Sequence, residues 1–259
     1  MKSSSNIQPE RMEKIVKIVS QNRFVAVEYL CDLTNASPST IRRDLSLLEE
    51  RGLIKRFHGG AIIPQQMLVP FSEREKENIE EKNKIAVEAI KIIKDNSTII
   101  LDAGTTVMQV ARQLEKISKK SLTIITPTIN IAQLLLGKNE YKIILSGGLL
   151  SIESNSLVGV LSIEAFKKLM ADIAIMSCEA VSSNLEIMYP DLEIISVKRA
   201  IINSASYKVL IVDSSKFGKV SLSAFDNIDL FDMVITDNKL SDKYINEIKK
   251  RNLKLIVAK

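Results

Sequence analysis

The chain has 259 residues, 46% of them hydrophobic and 26% charged, with a formal net charge of 36 − 31 = +5; this is enough apolar material for one large domain or two. Its two cysteines, Cys31 and Cys178, stand beside neither a second Cys nor a His at metal-ligand spacing, which argues against a disulfide framework and a zinc site. No apolar run approaches the ~20 residues a membrane span requires, and Met1-Lys2-Ser3-Ser4-Ser5-Asn6 leads into no signal-peptide core, so the expectation is a cytoplasmic protein with no metal and no cofactor.

Residues 1–60 hold ten Lys/Arg against seven Asp/Glu, a local +3 that is compatible with nucleic acid without demonstrating it. From Pro9 to Ser20 the apolar residues Met12, Ile15, Val16 and Val19 recur at helical spacing, and a second short helix is expected over Ala26–Leu33, burying Val27, Leu30 and Cys31. Thr34-Asn35-Ala36 then reads as a turn. The stretch that follows is written with both ends marked: Ser37 is a good N-cap, Pro38 suits the first helical position and Gly52 the residue just past the end. Ile41, Leu45 and Leu48 form its apolar stripe, which leaves Ser39, Thr40, Arg42, Arg43 and Ser46 on the other faces. Taken alone, this is either a solvated amphipathic helix or a recognition helix whose small and cationic face enters a DNA groove. The order helix, short turn, helix favours the second reading. After Gly52, Leu53–Phe57 reads as a strand, His58-Gly59-Gly60 as a turn and Ala61–Ile63 as the returning strand, a wing whose Lys55, Arg56 and His58 would lie along phosphates. His58, the only histidine, otherwise reads as a polar turn residue.

The run Thr40-Ile41-Arg42-Arg43-Asp44-Leu45, continued by Leu48-Glu49-Glu50-Arg51-Gly52-Leu53-Ile54-Lys55-Arg56-Phe57-His58-Gly59-Gly60-Ala61, resembles the signature of the DeoR family of bacterial transcriptional regulators. The resemblance implies operator binding as a homo-oligomer, with Ser37, Ser39, Thr40, Arg42 and Arg43 on the groove side.

Residues 1–63 are thus expected to form a winged helix–turn–helix domain, 64–72 a linker with prolines at 64 and 70, and 73–259 a second domain. The charged residues from Glu73 to Lys84 read as the solvated surface of a helix that docks through Ile85, Ala86, Ala89, Ile90 and Ile93.

Seven short, mostly β-branched runs follow: Thr98–Leu101, Leu122–Ile125, Lys142–Leu145, Ile173–Met176, Val209–Val212, Met233–Thr236 and Leu253–Val257. Helical patterns over 106–114, 129–136, 162–170, 195–205 and 241–250 separate most of them. Such alternation predicts an α/β domain with a mostly parallel sheet covered by helices on both faces, where ligands bind beyond the carboxyl ends of the strands. At those ends stand Asp102-Ala103-Gly104-Thr105-Thr106, Ser146-Gly147-Gly148 and Asp213-Ser214-Ser215-Lys216. A Gly-Thr turn opening a helix either caps that helix or offers free N–H groups to an anion such as phosphate. Lys216 reads as a cation beside hydroxyls or as a surface lysine.

The resemblance extends over Asp102–Thr106, Gly147-Gly148, Val158-Gly159, Val197-Lys198-Arg199-Ala200 and Asp213–Gly218, which look like the sensor domain of DeoR-type regulators, similar in fold to ribose-5-phosphate isomerase. It implies a sugar-phosphate effector held by Asp102, Gly104, Thr105, Thr106, Gly147, Gly148, Lys198 and Lys216. Four departures fall at polar positions of the family pattern: Ser177-Cys178-Glu179-Ala180 in place of Gly-Ala-Asp-Gly, Ile194 in place of Glu, Pro127 in place of Asn and Ser151 in place of Arg. They leave the anion-binding turn and change the groups that would read sugar hydroxyls. The alternative, a sugar-phosphate isomerase-like enzyme with an appended DNA-binding module, needs a positioned acid/base pair, for which Glu179 and Lys198 are the nearest candidates.

Overall fold

The computed structural model describes residues 7–21, 25–51, 53–57, 59–62, 71–117, 121–152, 154–221, 223–251 and 253–259. The chain divides into two units, 1–67 and 68–259.

The first unit contains α1 (Ile7–Gln21), β1 (Val25–Ala26), α2 (Val27–Thr34), α3 (Pro38–Glu50), β2 (Lys55–Phe57) and β3 (Gly60–Ile62). Met12, Ile15 and Val19 of α1 pack with Val27 and Leu30 of α2 and with Ile41, Leu45 and Leu48 of α3 in one core. Asn35, in the left-handed region at φ 50°, turns α2 toward α3. Ser37 caps α3 as expected, its hydroxyl accepting from the Thr40 N–H at 3.3 Å, with Pro38 in the first turn. Gly52 and His58 lie outside the described residues. The wing is three-stranded, in order β1-β3-β2, because the two-residue β1 pairs with β3 through Val25 and Ala61. A strand that short carries no alternation for a sequence to display.

The second unit begins with α4 (Phe71–Lys76), which starts inside the stretch expected to be linker, and α5 (Ile79–Lys91). The single solvated helix expected here is two helices broken at Asn78, whose φ is 49°. Nor are all its charges solvated, since Glu81 and Lys82 are buried. The sheet then builds through β4 (Thr98–Leu101), α6 (Thr105–Lys116), β5 (Leu122–Thr126), α7 (Ile129–Leu135) and β6 (Tyr141–Leu145). A hairpin of β7 (Leu149–Ser151) and β8 (Ser156–Val158) leads to α8 (Val160–Lys167) and β9 (Ala171–Met176). After them come β10 (Ala180–Val181), β11 (Glu186–Tyr189), α9 (Leu192–Asn203), β12 (Ala205–Ile211), β13 (Ser223–Asn227), β14 (Met233–Asp237), α10 (Asp242–Lys250) and β15 (Lys254–Ala258).

All seven predicted strands join one parallel sheet in the order β15-β14-β12-β9-β4-β5-β6. Successive strand residues feed opposite cores, as the two-residue period of a strand demands. Ile99, Leu101, Ile173, Ile175, Val209 and Ile211 pack with α5, α6 and α7, whereas Ile100, Ala174, Met176, Leu210 and Val212 pack with α8, α9 and α10. Residues buried on both faces explain why these strands read as unbroken apolar runs. The antiparallel sheet β10-β11-β13 stands apart from the main one.

Candidate functional site

In the first unit, Ser37, Ser39, Arg42 and Arg43 are exposed and Thr40 is half-buried. The Ser37 hydroxyl is within 2.9 Å of Ser39 Oγ and 2.8 Å of Thr40 Oγ1, so the first turn presents a cluster of hydroxyls. The outward arginines are oriented by what is underneath. Asp44, one residue along from Arg43, is buried, and its carboxylate accepts from Arg11 Nε at 2.5 Å and Gln8 Nε2 at 3.1 Å. This bond fastens α3 to α1 and fixes how far α3 is rotated about its own axis. Arg56 on β2 ties the wing to the same helix: its N–H donates to Glu49 Oε1 at 2.8 Å and its guanidinium donates to the Ser46 hydroxyl. Arg42, Glu49, Arg56, Gly59 and Gly60 thereby line one groove between α3 and the wing.

The second unit gathers its polar groups at the carboxyl ends of β4, β9, β12 and β14. Asp102 follows β4 and Lys198 projects from α9, and the two form an ion pair with both side chains almost wholly buried. Burial pushes the Asp102 carboxyl upward from its ordinary range, while the Lys198 ammonium pulls it back. Lys198 Nζ also lies 3.3 Å from the Ser177 carbonyl and 4.6 Å from the centre of the Tyr189 ring, and the Tyr189 hydroxyl donates to the same carbonyl at 2.8 Å. Gly104 is required where it stands: its φ is +150° and a Cβ there would meet Ser177 Oγ at 2.1 Å. Thr105 and Thr106 form the buried first turn of α6.

Ala103, Gly104, Ser177, Cys178, Glu179, Tyr189, Ile194 and Lys198 line one pocket together with Arg74 from α4 and Ser154 from the β7–β8 connection. Burial holds the Cys178 thiol up at about 12, so it stays protonated. Glu179 takes Lys216 Nζ at 3.2 Å on one oxygen and Arg74 at 3.7 Å on the other. Lys216 is held in place by its turn: Asp213 accepts from the Ser215 N–H and from Asn78 Nδ2, and Asp237 accepts from the Ser214 N–H at 2.6 Å. Lys82, buried below, donates to the Arg74 carbonyl; burial lowers its pKa and Asp213 opposes the change.

Of the residues expected to hold an effector, Gly104 and Lys198 line this pocket; Asp102, Thr105 and Thr106 are buried and do not line it, Asp102 being paired with Lys198, and Lys216 is joined to it through Glu179. Gly147 and Gly148, after β6, are not among its lining residues. A Cβ on Gly148 would strike the Val158 carbonyl oxygen at 2.4 Å, which makes close packing against β8 the visible reason for that glycine. Sequence reasoning did not assign the pocket its Arg74 or Tyr189, because α4 precedes the sheet and β11 belongs to the satellite one. Glu179 and Lys198 are not a pair, each being engaged with other partners. Among the described residues no group of three or more His, Cys, Asp or Glu is placed to hold a metal, and no helix is long and apolar enough to cross a membrane.

Known proteins resemble the chain along its length. Residues 11–67 match the DeoR-like helix-turn-helix domain and residues 77–238 the DeoR C terminal sensor domain. The HTH-type transcriptional regulator GolR of Listeria innocua is 33% identical over 251 residues, covering 96% of this chain and 98% of its own. The glycerol-3-phosphate regulon repressor of Escherichia coli K12 is 34% identical over 231 residues, 89% of this chain and 91% of that protein. A ribose 5-phosphate isomerase A from Methanocaldococcus jannaschii aligns over 54% of this chain and about half of its own length, 55%, at 20% identity and a TM-score of 0.39. With both domain matches in chain order and relatives of this similarity matched almost end to end, the chain belongs to the DeoR family of transcriptional regulators.

Proposed function

We propose that the protein is a cytoplasmic repressor of a carbohydrate-utilisation operon, and that a phosphorylated sugar or related metabolite in the strand-end pocket controls its grip on operator DNA. The observation that carries the effector half of this reading is the charge lining the pocket: two cations, Arg74 and Lys198, stand with one carboxylate, Glu179, beside the N-terminal turn of α6, while Asp102 pairs with Lys198 and Lys216 with Glu179. The effector must favour one arrangement of the protein over another, since equal affinity for both shifts nothing. Catalysis has no support, because Lys198 is neutralised by Asp102 and Glu179 is bound to two other cations.

Part of the wall around the charged end is apolar. Ile194, one of the four departures from the family pattern, lines the pocket beside Tyr189 and Pro190, which supports an effector that is unusual for the family or weakly held. Calorimetry against a panel of sugar phosphates, paired with operator mobility shift, tests both statements. Tight binding of a common effector such as fructose 1-phosphate sinks the second, and silence across the panel with no change in operator binding sinks the first.

The reading also includes a second copy of the chain. Leu145, Leu149, Leu150, Ile152, Val160 and Leu161 are 44–82% exposed and expose on the order of 700 Å² together, close to the ~800 Å² that each partner brings to a standard interface. They sit on the edge strand β6, the β7–β8 hairpin and the start of α8, and residues 145–162 contain one charged residue, Glu153. A surface so poor in charge, beside an unpaired strand edge, suits a copy of itself better than a charged partner.

A further inference from the structure

Glu179 stands out in the pocket because it is the one carboxylate shared by two cations from separate elements. Its two oxygens point different ways, one to Lys216 at 3.2 Å and the other to Arg74 at 3.7 Å. Neither contact is short. All three side chains keep some access to solvent, at 24%, 18% and 12%, unlike the sealed Asp102–Lys198 pair. An anion arriving from solvent therefore meets two cations already assembled on one carboxylate that gives each of them a single oxygen. Phosphate carries about −1.5 to −2 charges at neutral pH and three acceptor oxygens, and outcompetes a carboxylate for a guanidinium and an ammonium together.

We propose that Glu179 is an internal counter-anion: it occupies Arg74 and Lys216 while the pocket is empty, and the phosphate of the effector displaces it. The idea rests on the sensor reading above and assigns Glu179 a role in setting the sensitivity of that sensor. Arg74 is the side chain through which occupancy leaves the pocket. It lies on α4, the first described element after residues 63–70, so exchanging its partner acts on the segment that follows the connection to the DNA-binding unit. On α4, Glu75 is bound separately by Arg112 of α6 at 2.7 Å, and Glu77, just past the end of α4, also pulls electrostatically on Arg74. Moving the Arg74 side chain from Glu179 to a ligand leaves α4 held by the Glu75–Arg112 pair and by Lys82 on the Arg74 carbonyl.

The test uses the full chain with inorganic phosphate and then the sugar phosphate that binds it best. Glu179→Gln removes the competing charge and keeps the shape, so calorimetry should read affinity rising about 3- to 10-fold, the worth of one or two part-exposed ion pairs. Glu179→Asp restores the charge and should return affinity toward wild type, which a merely structural role would not do. In mobility shift, the phosphate concentration that half-changes operator binding should fall by the same factor. Should Glu179→Gln fail to fold, Glu179→Ala supplies the same measurement. Binding by wild type with equal or weaker binding by the neutral variant overturns the counter-anion and leaves the sensor reading standing. Binding by neither protein to any phosphate compound overturns both. A silent wild type and a binding variant would show the carboxylate acting as a block, in support.

Discussion

Replacing Lys198 by methionine keeps most of the side-chain volume and removes the ammonium, leaving Asp102 as a carboxylate with 2% side-chain exposure and no cation. Breaking a buried pair by deleting one partner costs about 3–5 kcal/mol. The lower end applies here, because backbone N–H groups of Ala103 and Ser177 still reach Asp102. At about 3 kcal/mol, and with a urea dependence near the top of the usual 1–3 kcal/mol/M for a unit of this size, the midpoint should fall by about 1 M. The deficit should also depend on pH in a definite direction. Burial already raises the folded-state carboxyl above its unfolded value, and losing Lys198 raises it further. The folded variant then binds a proton more readily than the unfolded chain, so its stability falls as pH rises from the unfolded value through the folded one, and recovers in acid. Urea melts of wild type and Lys198→Met at pH 5.5 and 8 make the comparison. The deficit should be larger at pH 8, and Asp102→Leu added to Lys198→Met should restore much of the loss. An unchanged midpoint, or a deficit that grows toward acid, would refute the reading of this pair as buried and mutually compensating.

Arg42→Ala and Arg43→Ala should each weaken operator binding by ~1–3 kcal/mol if the side chain meets a base edge, or weaken all sequences alike if it meets phosphate; mobility shift with operator and scrambled fragments separates the cases. Lys216→Ala should leave operator binding in the absence of effector intact and abolish the response to a sugar phosphate in the same assay. Ile152→Glu places a charge in the exposed apolar surface and should shift the protein toward monomer in analytical ultracentrifugation, with an unchanged circular dichroism spectrum. A wild type that is monomeric at micromolar concentration would dispose of that interface.

How much of this was legible beforehand depends on the range of each interaction. The strands of the main sheet announced themselves because each is apolar on both faces, and α3 because its cap, Ser37, meets its partner Thr40 only three residues on. Short satellite strands such as β1 and β10, two residues each, have no period to detect. The break at Asn78 hides within a helical pattern, and it is the tie to Asp213 and Ser215, 135 and 137 residues away, that gives it a structural purpose. The same distance problem governs the pocket. Asp102 and Lys198 are 96 residues apart, and only the family resemblance placed both in one site before the sheet order was known. Glu81 and Lys82 read as solvated because charge predicts exposure on average; Lys239 and the Arg74 carbonyl receive them instead.

The order of the strands also governs how the molecule is made. While the chain is being synthesised, β4, β5 and β6 can assemble among themselves, yet β4 has its other neighbour only when β9 arrives, with Ile99 facing Ile173 across 74 residues. Until then the open side of β4 is an adhesive edge, whereas the core of the winged unit is built from residues between Met12 and Ala61, all of them made well before. Ribosome-bound chains halted before residue 170 should therefore carry a finished DNA-binding head on an unfinished and aggregation-prone sensor.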